Sequence, residues 1–235
     1  MSPTIALLHS PLTSAAVWGD LPDELRSLGL DIVVPEVLDD DEPPYAARYV
    51  ARASLQLAQE RPEAPLVLVG HSGAGPLLPQ IGFARQAAKA PVNGYVFLDA
   101  MLPRVPHATT RLQLLALEDS ALAASLAEEL SAGGRFPDWS DADLAQSLPD
   151  PADRALLLAG LRPRRLDFFT EPLPVPEDWP DARCGYIRLS AAYVTSAATA
   201  THRGWFVRSV DLHHFAALTD PVALAELLNQ TLREL

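Results

Sequence analysis

Cysteine and lysine are almost missing from this chain: one Cys184 and one Lys89 stand among 235 residues. A single thiol forbids an intramolecular disulfide and a cysteine-built metal site. Positive charge is scarce as well, with 18 Lys and Arg against 30 Asp and Glu for a net charge of −12. Nucleic acid and anionic membrane surfaces both demand a basic footprint, so neither is expected as a partner. Long apolar runs are absent, and the opening MSPTIALLHS has no basic stretch. Neither a membrane span nor a signal peptide is therefore expected. The histidines form no H-E-x-x-H pair, and no G-x-x-x-x-G-K-[ST] phosphate loop occurs. The expectation is a cytoplasmic protein without metal or cofactor that acts on a small molecule, with a homodimer left open.

What the chain does have is apolar bulk, 49% of its residues, enough for a sizeable core. Short apolar or β-branched runs recur at 4–9, 30–35, 66–70, 94–99, 185–190 and 205–210. Helix-spaced stretches at 18–28, 46–59, 75–88 and 221–232 separate most of them, which predicts a mostly parallel sheet flanked by helices. The alternation stops between Pro103 and Pro180. There the spacing predicts helices over 110–130, 141–148 and 151–161, followed by the proline-rich EPLPVPEDWPD, which cannot be a central strand. We therefore expect an α/β core in two parts, 1–102 and 181–235, interrupted by a helical cap over 103–180. An insertion at the carboxyl edge of such a sheet lies over the ligand crevice.

One strand ends in Gly70-His71-Ser72-Gly73-Ala74-Gly75 and runs straight into a helix. A serine between small residues at a strand–helix corner is either a helix N-cap or a nucleophile held on a strained turn. The helix start beside it aims backbone N–H groups where an oxyanion would develop. The corner has the form G-x-S-x-A where G-x-S-x-G is usual, a mild departure between small residues.

With these residues the chain resembles the α/β-hydrolase fold superfamily, its serine-nucleophile esterase and lipase-like members in particular. IALLHSPLTSAAVWGDLPDELRSLGLDIVVPE is similar to that family's first strand, loop, helix and second strand. GYVFLDAMLP resembles the strand after the nucleophile helix, and DLHHFAALTDPVALAELL the ending in which a catalytic histidine precedes Asp-Pro. The resemblance implies a fold of α/β class with a helical cap and a serine hydrolase that cleaves an ester, thioester or lactone. It implies Ser72 as nucleophile and His214 as base, with the adjacent His213 as runner-up. The family's usual place for the acid is empty, because no Asp or Glu occurs from Ala182 to Val210. Its alternative place, the end of the strand after the nucleophile helix, holds Asp99, which otherwise only caps the next loop. Asp211 is too near His214 in sequence to be preferred.

The resemblance also implies an oxyanion hole of Gly73 N–H and a second N–H two positions after His9. That position is Pro11, which has no N–H, so the partner must be Leu12, Ser10 or a side chain. Loss of one such donor costs on the order of 3 kcal/mol of transition-state stabilisation. His9 and Pro11 are expected beside the substrate, although His9 reads more readily as a hydrogen-bonded loop residue. Trp139, Phe168, Phe169 and Trp179 either line an apolar pocket or form the core of the cap. Arg162, Arg164 and Arg165 read as a solvated patch in preference to a carboxylate site. Proton-transfer chemistry by a lyase or cyclase is the first alternative, since it asks less of the oxyanion hole. A binding protein on an inactive scaffold is the second. Dehalogenase and epoxide-hydrolase chemistry is disfavoured because those relatives need an aspartate at Ser72.

Overall fold

A computed structural model describes residues 3–38, 40–60, 65–90, 92–104 and 108–235. The elements in chain order are β1 (Thr4–Leu8), α1 (Leu21–Ser27), β2 (Asp31–Val33), α2 (Tyr45–Glu60), β3 (Leu66–His71), α3 (Leu78–Ala87) and β4 (Val92–Leu98). Then follow β5 (Thr109–Thr110), α4 (Arg111–Glu118), α5 (Ser120–Ser131), α6 (Asp141–Leu144), α7 (Pro151–Ala159), α8 (Leu166–Thr170) and β6 (Pro172–Leu173). The chain closes with β7 (Arg183–Arg188), α9 (Val194–His202), β8 (Phe206–Ser209), α10 (Ala216–Thr219) and α11 (Pro221–Leu232).

Six strands form one parallel sheet among the described residues, in the order β2-β1-β3-β4-β7-β8. Alternate residues of each inner strand enter opposite apolar layers, as the period of two requires. Ala6, Leu8, Leu66, Leu68, Tyr95, Phe97 and Tyr186 meet α2, α3 and α9 on one face. Ile5, Leu7, Val67, Val69, Val96, Leu98 and Ile187 meet α1, α7 and α11 on the other. Helix α2 turns Tyr45, Ala46, Tyr49, Val50, Ala53 and Leu57 inward, the stripe that helical spacing produces. The direction of winding reverses between β1 and β3, and a crevice at the carboxyl ends of those strands is where such sheets bind ligands.

The sequence expectation of one helix over 110–130 is corrected. Asp119 adopts an extended conformation and breaks it into α4 and α5. Its carboxylate accepts from Ala121 N at 3.0 Å and Leu122 N at 2.9 Å, which caps α5 and offsets the break. Several other predicted helices are shorter than the periodicity suggests, with α6 ending at Leu144 and α3 beginning only at Leu78. The stretch from Ser72 to Leu77 is a 3₁₀ turn instead. Helix α9 fills a segment that the residue pattern leaves between two strands. The proline-rich stretch contributes only the two-residue β6, paired antiparallel with β5 at the side of the main sheet. Met1, Ser2 and residues 39, 61–64, 91 and 105–107 of the expected segments lie outside the described residues. No described helix is long and apolar enough to cross a membrane.

The turn after β3 is packed against β4 more closely than any side chain would allow at Gly75. A Cβ there would stand 2.4 Å from Met101 O and 2.9 Å from Ala100 Cβ. Since the clash is with backbone, relief requires the turn or the end of β4 to move. Gly75→Ala is expected to destabilise the fold by about 1–3 kcal/mol, measured by urea denaturation. An unchanged midpoint would show that the turn tolerates the shift.

Candidate active site

Ser72 follows directly on β3 with φ +55°, a left-handed conformation that a non-glycine residue adopts only under constraint. The constraint comes from its neighbours. A Cβ on Gly70 would lie 2.9 Å from the Leu78 side chain, and Gly75 is pinned as described. The contact that excludes a side chain at this corner falls on Gly75. The Ser72 side chain is partly exposed, while Gly73 to Leu77 are buried.

Asp99 lies just past β4, fully buried and also left-handed at φ +42°. Oδ1 accepts from Leu189 N at 2.8 Å and Ser190 N at 3.0 Å; Oδ2 accepts from Ser190 Oγ at 2.7 Å. His214 Nδ1 lies 2.8 Å from Oδ2 and completes the shell. Burial by itself would raise the Asp99 carboxyl, but the bonds from His214, Ser190 and Leu189 hold it below its ordinary value. Asp99 is thus a carboxylate, and a carboxylate acceptor fixes a proton on Nδ1 of His214.

His214 stands between two rings. Tyr193 stacks on it with centroids 5.4 Å apart and planes at 16°, and His71 lies 4.5 Å away at 33°. His71 Nε2 is 2.9 Å from the His214 carbonyl oxygen, while Nδ1 has no partner among the described residues. That assigns the proton to Nε2 as a donor and makes His71 neutral. Burial, then the neighbouring His214 imidazole, lowers its pKa to about 3. Tyr193 Oη lies 3.3 Å from Ser72 Oγ. No hydrogen bond joins Ser72 Oγ to His214 Nε2 among the described residues, so Tyr193 holds the serine hydroxyl in this state. Burial is the main cause that pushes the Tyr193 phenol well above its ordinary value, and the group stays protonated.

The structure thus brings Ser72, Tyr193, His214 and Asp99 into one chain of contacts. His213 is turned away into its own backbone, its Nδ1 accepting from Phe215 N at 3.2 Å. Asp211 is on the surface near Arg188. On the opposite side of Ser72, a Cβ on Gly73 would meet Ser10 Oγ at 2.9 Å and Pro11 Cδ at 3.6 Å. The β1 loop therefore packs on Gly73. Leu12 is corrected as a free oxyanion donor, because its N–H already donates to Ser10 Oγ at 3.2 Å.

His9 is corrected too. It is fully buried, with Nδ1 2.8 Å from Ser10 O and Nε2 accepting from Val37 N at 3.1 Å. Both ring nitrogens serve the loop, and burial lowers its pKa. Phe168 and Phe169 are likewise corrected from pocket lining to core, packed with Tyr45, Leu126 and Leu130. Trp179 belongs to the core beside Phe97 and Trp205. Trp139 remains near the site, edge-on to Phe215 at 6.0 Å, and Phe215 abuts the His214 ring.

Two of the three arginines read as a solvated patch, Arg162 and Arg164, prove to be fasteners for the β1 loop, while Arg165 is exposed. Arg164, with a side chain only 3% exposed, donates to Pro11 O at 3.3 Å and pairs with Asp41 at 2.7 Å. Arg162 donates through its backbone to Leu12 O and through Nε to Thr13 O. Tyr193, Ser190, His71 and Arg164 escaped the sequence reading. Only Arg164 had a signal, its place in an arginine cluster. A cavity of about 780 Å³ opens between α2, α3 and residues 174–181, and it shares no lining residue with this site. The described residues hold no cluster of three or more His, Cys, Asp or Glu able to bind a metal.

The chain matches the model of the alpha/beta hydrolase family over residues 5–227, and it belongs to that family. Solved structures share the fold at low identity. An extracellular alpha/beta-hydrolase from a Paenibacillus species is 17% identical, with a TM-score of 0.78 over 98% of this chain and 99% of that one. Tomato methylketone synthase I is 15% identical, with a TM-score of 0.70 over 100% and 99%. Polyneuridine aldehyde esterase is 18% identical, with a TM-score of 0.69 over 98% and 99%. No curated protein matches the chain significantly by sequence.

The buried neutral histidines make the fold sensitive to acid. His71 and His9 have lowered pKa values when folded, so below about pH 6.5 the unfolded chain binds protons that the folded one refuses. Stability is then lost as pH falls from 6.5, by about 1.4 kcal/mol per unit for each group that titrates alone. Thermal denaturation between pH 7 and 5 should show a falling midpoint, and His71→Gln should flatten that slope. A slope unchanged by His71→Gln would assign the acid sensitivity elsewhere.

Proposed function

We propose that the protein is a serine hydrolase that cleaves an ester, thioester or lactone of a hydrophobic small molecule through Ser72, His214 and Asp99. The observation that supports this most is the 2.8 Å contact of His214 Nδ1 with a fully buried Asp99, beside a serine at φ +55°. His214 Nε2 takes the Ser72 proton as Oγ attacks the carbonyl carbon. Gly73 N–H holds the developing oxyanion. Collapse expels the alcohol or thiol, which leaves with the proton from His214, and water then releases the acid by the same route. Asp99 keeps its charge throughout and stabilises the imidazolium. The helical segment after β4 acts as a cap over this site, with Pro11 and Trp139 at its apolar wall.

A second reading has its own observation: Pro11 removes one oxyanion donor and Leu12 does not replace it. A lyase or cyclase in which the same residues abstract a proton would need that donor less. The fold is shared both with an esterase and with methylketone synthase I, so fold alone does not choose.

Intact mass after exposure to a fluorophosphonate decides between them. We expect rapid labelling of wild type and none in Ser72→Ala. Labelling should slow on the order of a hundredfold or more in His214→Ala and Asp99→Asn. Folded wild type that stays unlabelled would remove the hydrolase reading and leave proton-transfer chemistry.

A further inference from the structure

Tyr193 has no place in the reaction as written above, yet it touches both of the groups that react. Its hydroxyl is 3.3 Å from Ser72 Oγ, and its ring lies flat against the His214 imidazole. The sheet order fixes the side on which it stands. From β3, the β1 loop with Ser10 and Pro11 lies one way and packs on Gly73, where the oxyanion would point. Tyr193 follows β7 and so lies the other way, with Asp99 and His214. In a tetrahedral adduct on Ser72 Oγ, the oxygen opposite the oxyanion donors is that of the departing group.

Resting on the hydrolase reading, we propose that Tyr193 is a catalytic residue on the leaving-group side, its hydroxyl hydrogen-bonding to the departing oxygen beside His214. In the resting state this hydroxyl engages Ser72 Oγ; substrate entry exchanges that partner for the substrate oxygen and frees Ser72 to bond His214. Proton accounting is simple. The Ser72 proton passes to His214 Nε2 and from there to the departing oxygen, while Tyr193 keeps its own proton and only donates a hydrogen bond. Its raised pKa suits that role, since the phenol remains a donor at neutral and mildly alkaline pH. The flat stacking holds the ring when the hydroxyl is removed, so Tyr193→Phe isolates the donor from the packing.

A donor to the leaving group matters most when that group is a poor one. The test is kcat/KM for a series of aryl butyrates, from p-nitrophenyl to p-methoxyphenyl, in wild type, Tyr193→Phe and Ser72→Ala. We expect Tyr193→Phe to lose less than about threefold on the p-nitrophenyl ester. On the p-methoxyphenyl ester it should lose on the order of tenfold or more, a steeper dependence on leaving-group pKa. A merely structural Tyr193 would lower the whole series by one factor, and parallel lines, or no change at all, would overturn the proposal. Wild type that hydrolyses none of the series above the Ser72→Ala background overturns the hydrolase reading and this role together. The two failures are therefore distinguishable.

Discussion

The buried carboxylate of Asp99 is the constraint around which this molecule is arranged. A charge with no exposure at the end of a central strand is costly unless donors replace the water it has lost. Four donors do so: two backbone N–H groups and a hydroxyl from residues 189–190, and the imidazole of His214. Those donors come from the loops after β7 and β8, so satisfying one carboxylate ties together the ends of three neighbouring strands. The left-handed backbone at Asp99 costs of order 1–3 kcal/mol, and the hydrogen-bond shell is what offsets it. The same shell orients the His214 ring. His214 cannot rotate without leaving a charge buried and underpaired, and the two rings on its faces fix the remaining tilt.

On the other side of Ser72 the arrangement is held from outside the sheet. The loop after β1 has its polar groups bound internally, by His9 and Ser10, and externally, by Arg162 and Arg164. Both arginines belong to the segment inserted between β4 and β7. That segment does more than cover the core, because it grips the loop that flanks Gly73. A substitution in the insertion can therefore alter the Gly73 side of Ser72 from a distance. The two halves of the site are in this way built on different logic: a buried charge with local donors on one side, a loop clamped by distant arginines on the other.

The sheet was legible because buried parallel strands read as continuous apolar runs, and Leu66–Gly70 followed by a glycine-flanked serine has few other meanings. Asp99 was legible through the family resemblance, whose usual place for the acid is empty from Ala182 to Val210 and whose alternative place is the end of β4. The structure pairs His214, not its neighbour His213, with that carboxylate, the histidine that the family resemblance implied. Illegible were the residues whose partners lie far along the chain. Tyr193 sits in a stretch that reads as a strand continued through Ser190, and only the turn after β7 swings it 121 positions back to Ser72. Arg164 looked solvated because nothing local marks its bond to Pro11, 153 positions away. Asp119 broke a helix that period alone carried through, because a capping aspartate in mid-pattern is indistinguishable from an exposed one. Phe168 and Phe169 show the limit of composition: an aromatic pair in an insertion serves equally as pocket or core, and packing on Tyr45 made it core.

Pro11 and Tyr193 together give the site an asymmetry with chemical consequences. A hydrolase spends its transition-state stabilisation in two places, on the oxyanion and on the departing group. Here the β1 side offers Gly73 N–H and a loop whose next N–H groups are absent at Pro11 or engaged at Leu12, while the other side holds a protonated phenol beside the base. Such a balance suits substrates whose departing oxygen needs help more than their carbonyl does, such as esters of poorly acidic alcohols. It suits proton abstraction too, where a single base and a nearby donor suffice. What separates these uses is whether Ser72 Oγ, now on Tyr193, can move to His214 Nε2 when a substrate enters, for only then does a serine beside a base become a nucleophile.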